Sequence, residues 1–197
     1  MVAIGGFKGN EDIKYLSIPA TVKSIRNKAF YDCKNLEHID FSDGLEEIEE
    51  MAFSSCDNLK EFNMPDTVTT LGEAVVRSSG VESIHISTGL DTLSSYCFAV
   101  CYSLNGPLVI PSNIKSIDDY AFGHATSVTE VVIEDGATFI GTEAFGNCES
   151  LTKVVISASV TEITAAFRGS TNATLYVESG SYAESYAAEN GFKYEVQ

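Results

Sequence analysis

Five cysteines and three histidines are the side chains of this 197-residue sequence with the widest chemical scope. Thiolates and imidazoles ligate zinc, and either acts as nucleophile or general base when a partner lies within hydrogen-bond reach. Their spacing points elsewhere. No HExxH, CxxC, GxGxxG, P-loop or GxSxG pattern occurs. Cys33 and Cys56 are instead separated by the same interval that returns throughout the chain, and Cys101 and Cys148 fall near further multiples of it. Such spacing belongs to a repeating scaffold.

That interval also governs the apolar residues that must position these groups. Ala29-Phe30, Ala52-Phe53, Cys97-Phe98, Ala121-Phe122, Ala144-Phe145 and Ala166-Phe167 recur about every 23 residues, a period in the range of stacked repeats. A fixed period of this size means stacked copies of one supersecondary unit. Seven units of nearly equal length begin at Ile13, Leu36, Leu59, Val81, Leu104, Val128 and Leu151. In each, residues such as Ile39 and Phe41 alternate with polar neighbours, which predicts one short strand with a buried face. Pairs such as Leu45 and Ile48 return the chain across the coil, and the Ala-Phe that follows is expected on a short helical turn. Stacking joins these apolar edges into one continuous core. Val75-Val76 replaces the pair in unit three, and Ala166-Phe167 comes one residue early, so both places should be irregular.

Before the first unit, Ile4-Gly5-Gly6-Phe7 resembles the second half of a further unit. Either the natural polypeptide extends upstream or this stub caps the first coil. At the other end Leu175-Tyr176-Val177 reads as a last strand. The run from Tyr182 to Asn190, between Ser181 at an N-cap position and Gly191 at C′, predicts a helix that closes the stack. The organisation expected is therefore one domain over 1–197: a partial repeat in 1–12, seven repeats in 13–174, and last strand plus helical cap in 175–197. Pro19, Pro65 and Pro111 follow the strands of odd units, while Asp43-Gly44, Thr88-Gly89 and Asp135-Gly136 follow those of even ones, so two turn shapes should alternate.

Placed on this frame, Cys33, Cys56, Cys101 and Cys148 share one column with Ser79, Ala125 and Ser170. A column that accepts Cys, Ala and Ser wants a small side chain, which predicts buried free thiols, with a Cys33–Cys56 bridge between neighbouring coils as the alternative. Cys97, in the Ala column, reads the same way. His38 and His85 fall in different columns two rungs apart, at ~4.8 Å per rung, which argues against shared metal ligation; with His124 they read as solvated surface residues. Catalysis needs convergent groups in a pocket, and none is displayed. We expect no enzyme, no cofactor and no metal site.

The consensus Leu-x-x-Ile-x-Ile-Pro-x-x-Val-x-x-Ile-x-x-x-Ala-Phe-x-x-Cys resembles the BspA-type leucine-rich repeats. Leu16, Ile18, Pro19, Val22, Ile25, Ala29, Phe30 and Cys33 match it in turn, and the tail from Gly180 to Asn190 is similar to the family's common ending. The resemblance implies a leucine-rich-repeat solenoid, α/β or mainly β, with a parallel strand per coil. It also implies a microbial secreted or cell-surface protein, bacterial or protozoan, whose relatives are linked to adhesion and to host matrix or serum proteins. It supplies no binding residues.

Composition narrows the partners. Twelve basic against 28 acidic residues give a net charge of −16, with the Lys and Arg scattered, so no counterion-displacing stripe for nucleic acid is present. No run of roughly eighteen apolar residues would span a membrane. Met1 to Asn10 lacks an apolar signal core, so any export signal or anchor is expected outside these residues.

The outward column of the strands reads Ser17, Asp40, Asn63, His85, Val109, Val132, Val155, Tyr176, turning apolar halfway. Eight strands would make a face about 34 Å long. We take Val109, Val132, Val155 and Tyr176, with His85 beside them, as the candidate binding face for a protein or glycan, or for a second copy in a homodimer. The alternative is plain β-propensity, since valine suits any strand. A spacer segment within a longer surface protein is the competing function.

Overall fold

The computed structural model describes residues 1–197. Period-2 alternation does produce one strand per coil, followed by a two-residue strand on the return. In chain order these are β1 (Tyr15–Ile18), β2 (Ser24–Ile25), β3 (His38–Phe41), β4 (Glu47–Ile48), β5 (Glu61–Asn63), β6 (Thr70–Leu71), β7 (Ser83–His85) and β8 (Thr92–Leu93). There follow β9 (Gly106–Ile110), β10 (Ser116–Ile117), β11 (Val128–Ile133), β12 (Phe139–Ile140), β13 (Lys153–Ile156), β14 (Glu162–Ile163), β15 (Thr174–Val177), helix α1 (Tyr182–Glu189) and β16 (Lys193–Val196). All pairings are parallel and join like positions of successive coils, such as Leu16 with Ile39 and Val131 with Val154. The chain is a parallel-strand solenoid.

The expected uninterrupted face is instead three ladders: β1 with β3, β5 with β7, and β9-β11-β13-β15-β16. The short strands also divide, into β2-β4-β6 and β8-β10-β12-β14. Unit three is thus irregular, as its missing Phe implied. Unit seven is less so: Phe167 still stacks on Phe145 at 5.7 Å with the rings 10° from parallel. Across all these interruptions 55 buried residues form one cluster, so the core itself stays continuous.

The helical turn expected around Ala-Phe does not form. Alternate amides there reach the next coil, as when Lys28, Phe30 and Asp32 N–H donate to the carbonyls of Glu50, Ala52 and Ser54 at 3.0, 2.8 and 2.9 Å. The amides between them close tight local turns, such as Ala29 N–H to Arg26 C=O at 3.0 Å. Sending every second amide along the solenoid axis requires a left-handed residue before the Ala and another two after the Phe: Lys28 and Asp32, Met51 and Ser55, Tyr96 and Val100, Tyr120 and His124. The stub obeys the same rule, with Gly5 and Gly9 at φ 55° and 69° and Phe7 stacked 5.1 Å from Phe30. Val100, at φ 61°, is the β-branched residue in this set. Left-handed backbone costs an L-residue about 1–2 kcal/mol and asparagine tolerates it best. Val100→Asn should therefore raise Tm by a few degrees in a thermal melt, and an unchanged or lower Tm would show that the turn carries no such strain.

The two turn classes differ in units two and six, but the alternation fails in unit four. Gly44 and Gly136 take φ of 117° and 153°, whereas no residue of the Pro19, Pro65 or Pro111 turns has positive φ; Gly89 stays negative as well. A β-carbon on Gly136 would sit 2.0 Å from the Ser112 carbonyl of the coil below, so the position admits nothing larger.

At the C-terminus α1 forms where expected, Ser181 Oγ accepting from Glu184 N–H at 3.1 Å and Tyr186 packing edge-on to Phe167. Leu175–Val177 is not the last strand, however. After Gly191 the chain returns to the sheet and adds β16 beside β15, pairing Tyr176 with Glu195.

Candidate binding face and its thiol column

Four of the five predicted face residues stand side by side. Register pairs Val109 with Val132, Val132 with Val155, and Val155 with Tyr176, one per coil on the same ladder. Their exposure is uneven. Val109 is 47% exposed, but Val132, Val155 and Tyr176 are partly buried. Part of the cover comes from the neighbouring column, where Lys153 Nζ lies 5.7 Å from the Tyr176 ring and 2.8 Å from Glu130 Oε1. The Glu130 carboxylate holds the Lys153 ammonium above its ordinary pKa. The apolar stripe then ends in charge at Glu195, which continues the column on β16.

His85 is not part of that ladder. It belongs to β7, whose neighbour is β5, and no ladder joins it to β9. Its Nε2 lies 3.3 Å from Asp66 Oδ1, and the Thr88 N–H also reaches that carboxylate at 2.9 Å. The Thr88 amide first, then His85, holds the Asp66 carboxyl below its ordinary pKa. Between His85 and Val109 the face opens into a cleft of about 350 Å³.

The cysteines are all free and fully buried. Cys33 and Cys56 are not bridged. Each column thiol donates to a carbonyl of the preceding coil: Cys33 to Phe7 at 3.1 Å, Cys56 to Phe30 at 3.3 Å, Cys101 to Val76 at 3.2 Å and Cys148 to Phe122 at 3.4 Å. Ser79 and Ser170 make the same bond with hydroxyls, to Phe53 at 2.9 Å and Phe145 at 2.7 Å. Six of the seven column residues are therefore small donors, Ala125 being small without a donor, and the Cys/Ser alternation was the signal for it. Burial pushes Cys101 and Cys148 up to about 12 and raises Cys33, Cys56 and Cys97 as well.

Coils of this length, with a Phe column, a Cys/Ser column and a parallel strand each, match a known repeat. Residues 3–107 and 106–188 match the family described as BspA type Leucine rich repeat region, in 6 copies. The chain belongs to that family.

Solved structures place this BspA-type chain among leucine-rich-repeat folds. A leucine-rich repeat protein from Eubacterium ventriosum is 23% identical with a TM-score of 0.67, covering 79% of this chain and 42% of its own. One from Bacteroides ovatus is 22% identical with a TM-score of 0.56, covering 89% of this chain and 58% of its own. The chain thus spans less than two thirds of each. No curated protein gives a significant match. No helix of this BspA-type solenoid is long and apolar enough to cross a membrane.

Proposed function

We propose that this solenoid is a non-enzymatic binding module of a microbial secreted or cell-surface protein, holding a protein or glycan on its sheet face. The observation that carries this reading is the in-register column Val109, Val132, Val155 and Tyr176 on a five-stranded ladder. β11, β13 and β15 are each paired on both sides and present Val132, Val155 and Tyr176 without ordering on association, which lowers the cost of binding. Family membership supports the surface location.

The test is a binding screen of the purified chain against matrix proteins, serum proteins and a glycan array, with Val132→Ser/Val155→Ser alongside. A partner should be found, and the double variant should weaken it at least about tenfold while keeping the parent's Tm within a few degrees. Unchanged affinity in the folded variant would remove the stripe from the site. A spacer role is the second reading, favoured by the chain spanning only 42% and 58% of the two solved relatives. Failure across the whole panel would select it.

A further inference from the structure

The gap between β7 and β9 has a local cause. The coil that begins at Leu104 and ends before Val128 is longer than its neighbours by a single residue, and the surplus is taken up at Gly106, with φ 77°. Pro107 follows, occupying the ladder position that Glu130 takes on β11, and it has no N–H to offer β7. Away from the strands the same two coils remain tied. Tyr96, Phe98 and Val100 N–H donate to Asp119, Ala121 and Gly123 at 3.0, 2.8 and 2.8 Å, and β8 pairs with β10. The coils are joined at the turns and at the strand start, where Asn105 N–H donates to the Glu82 carbonyl at 3.2 Å, but part along β7 and β9, and so splay into a wedge.

That wedge is the 350 Å³ cleft, with buried Leu104 and Leu108 inside it and exposed His85 and Val109 among its lining. One wall is an open strand edge. The His85 carbonyl faces β5, accepting from Met64 N–H at 3.3 Å, so the alternate residues Ile84 and Ile86 turn their N–H and C=O toward the gap. Open edge groups beside apolar pockets are what an added strand uses. The lining holds no Lys or Arg to receive an anion and no Phe, Tyr or Trp for a sugar to stack on. Its charged surroundings are net acidic: Asp66 bonds His85, and Glu82, which precedes Ser83, shares its carboxylate with Lys60 at 2.6 Å, on a chain of net charge −16.

Building on the binding-module reading, we propose that this cleft takes an extended basic peptide segment of a protein partner. One apolar side chain enters between His85 and Val109, the backbone pairs with the β7 edge at Ile84 and Ile86, and flanking Lys or Arg face the carboxylates. The site is separate from the valine stripe, although Val109 borders both.

The experiment selects a phage-displayed random nonapeptide library on the whole chain and measures the recovered peptides by fluorescence polarisation. The variants are Ser83→Trp, which fills the cleft; deletion of Gly106 with Pro107→Thr, which restores the usual coil length and the missing N–H; and Val132→Ser/Val155→Ser. We expect recovered peptides to carry one apolar residue beside Lys or Arg and to weaken with added salt. Each folded cleft variant should bind at least tenfold more weakly, and the stripe variant as well as the parent. Two cleft variants of different chemistry guard against one failing to fold. No recovered peptide, peptides without basic residues, or full affinity in a folded cleft variant would each overturn the proposal. Peptides lost only in the stripe variant, or glycan binding alone, would overturn the cleft while leaving the binding-module reading standing.

Discussion

Phe62→Ala is expected to destabilise the solenoid by about 3–5 kcal/mol, far more than its place as an ordinary strand residue would suggest. Stacked phenylalanines run from Phe7 through Phe30 to Phe53, and again from Phe98 to Phe167, at 5.1 to 5.7 Å. Unit three puts buried Val76 in that column, leaving a space one ring deep. Phe62 enters it from β5, with its ring 5.6 Å from Phe53 and 6.5 Å from Phe98, both edge-on. One ring has moved from the turn to the strand. Val76→Phe alone should then overpack and cost about 1–3 kcal/mol. Phe62→Leu/Val76→Phe should be more stable than the sum of its single variants predicts, by at least about 1 kcal/mol. Denaturant melts of all four proteins read the coupling, and additivity within about 0.5 kcal/mol would end the compensation argument.

Alkaline pH should unfold this protein steeply. Unfolded thiols ionise near the ordinary value of 9.0, whereas burial raises those of Cys56, Cys97, Cys101 and Cys148. Above pH 9 the unfolded state therefore loses protons that the folded state keeps. The stability from each protonated thiol is fully present below about pH 9 and is lost as pH rises toward the folded values, at ~1.4 kcal/mol per pH unit each. Four such groups together give on the order of 5 kcal/mol per unit. A variant with Cys56→Ser, Cys101→Ser and Cys148→Ser keeps the column's donors, as Ser79 and Ser170 already do, and should unfold at clearly higher pH. Equal alkaline midpoints would show that the thiols do not govern the slope. Thiol reagent at neutral pH should find no fast-reacting cysteine until denaturant is added.

Much of the architecture was legible because the coil repeats. One coil's apolar pattern, confirmed in the next, places Ile39, Leu45, Ile48 and Phe53 inside without knowledge of any distance. The left-handed residues were not legible, because Lys28, Met51 and Tyr96 carry no turn signal. Hydrogen bonds to the next coil impose their conformation. β16 was legible in part: Tyr194 and Val196 alternate with Lys193 and Glu195 after Gly191, but the preceding helix read as an ending. The thiol column showed its small size in sequence, while its donor role depends on carbonyls that only the stacking of the preceding coil brings within reach.

The candidate site divides the same way. By itself the sequence determined which side chains share a column, and so that Val109, Val132, Val155 and Tyr176 line up, because column membership follows from a local period. The tertiary structure alone decided how far each is exposed, that His85 sits across a break from Val109, and that the break is an open cleft. Those properties depend on the separation and tilt of neighbouring coils. The break coincides with one additional residue at Gly106 and one missing N–H at Pro107, while the Lys153–Glu130 pair covers part of the stripe, through contacts that no single repeat contains.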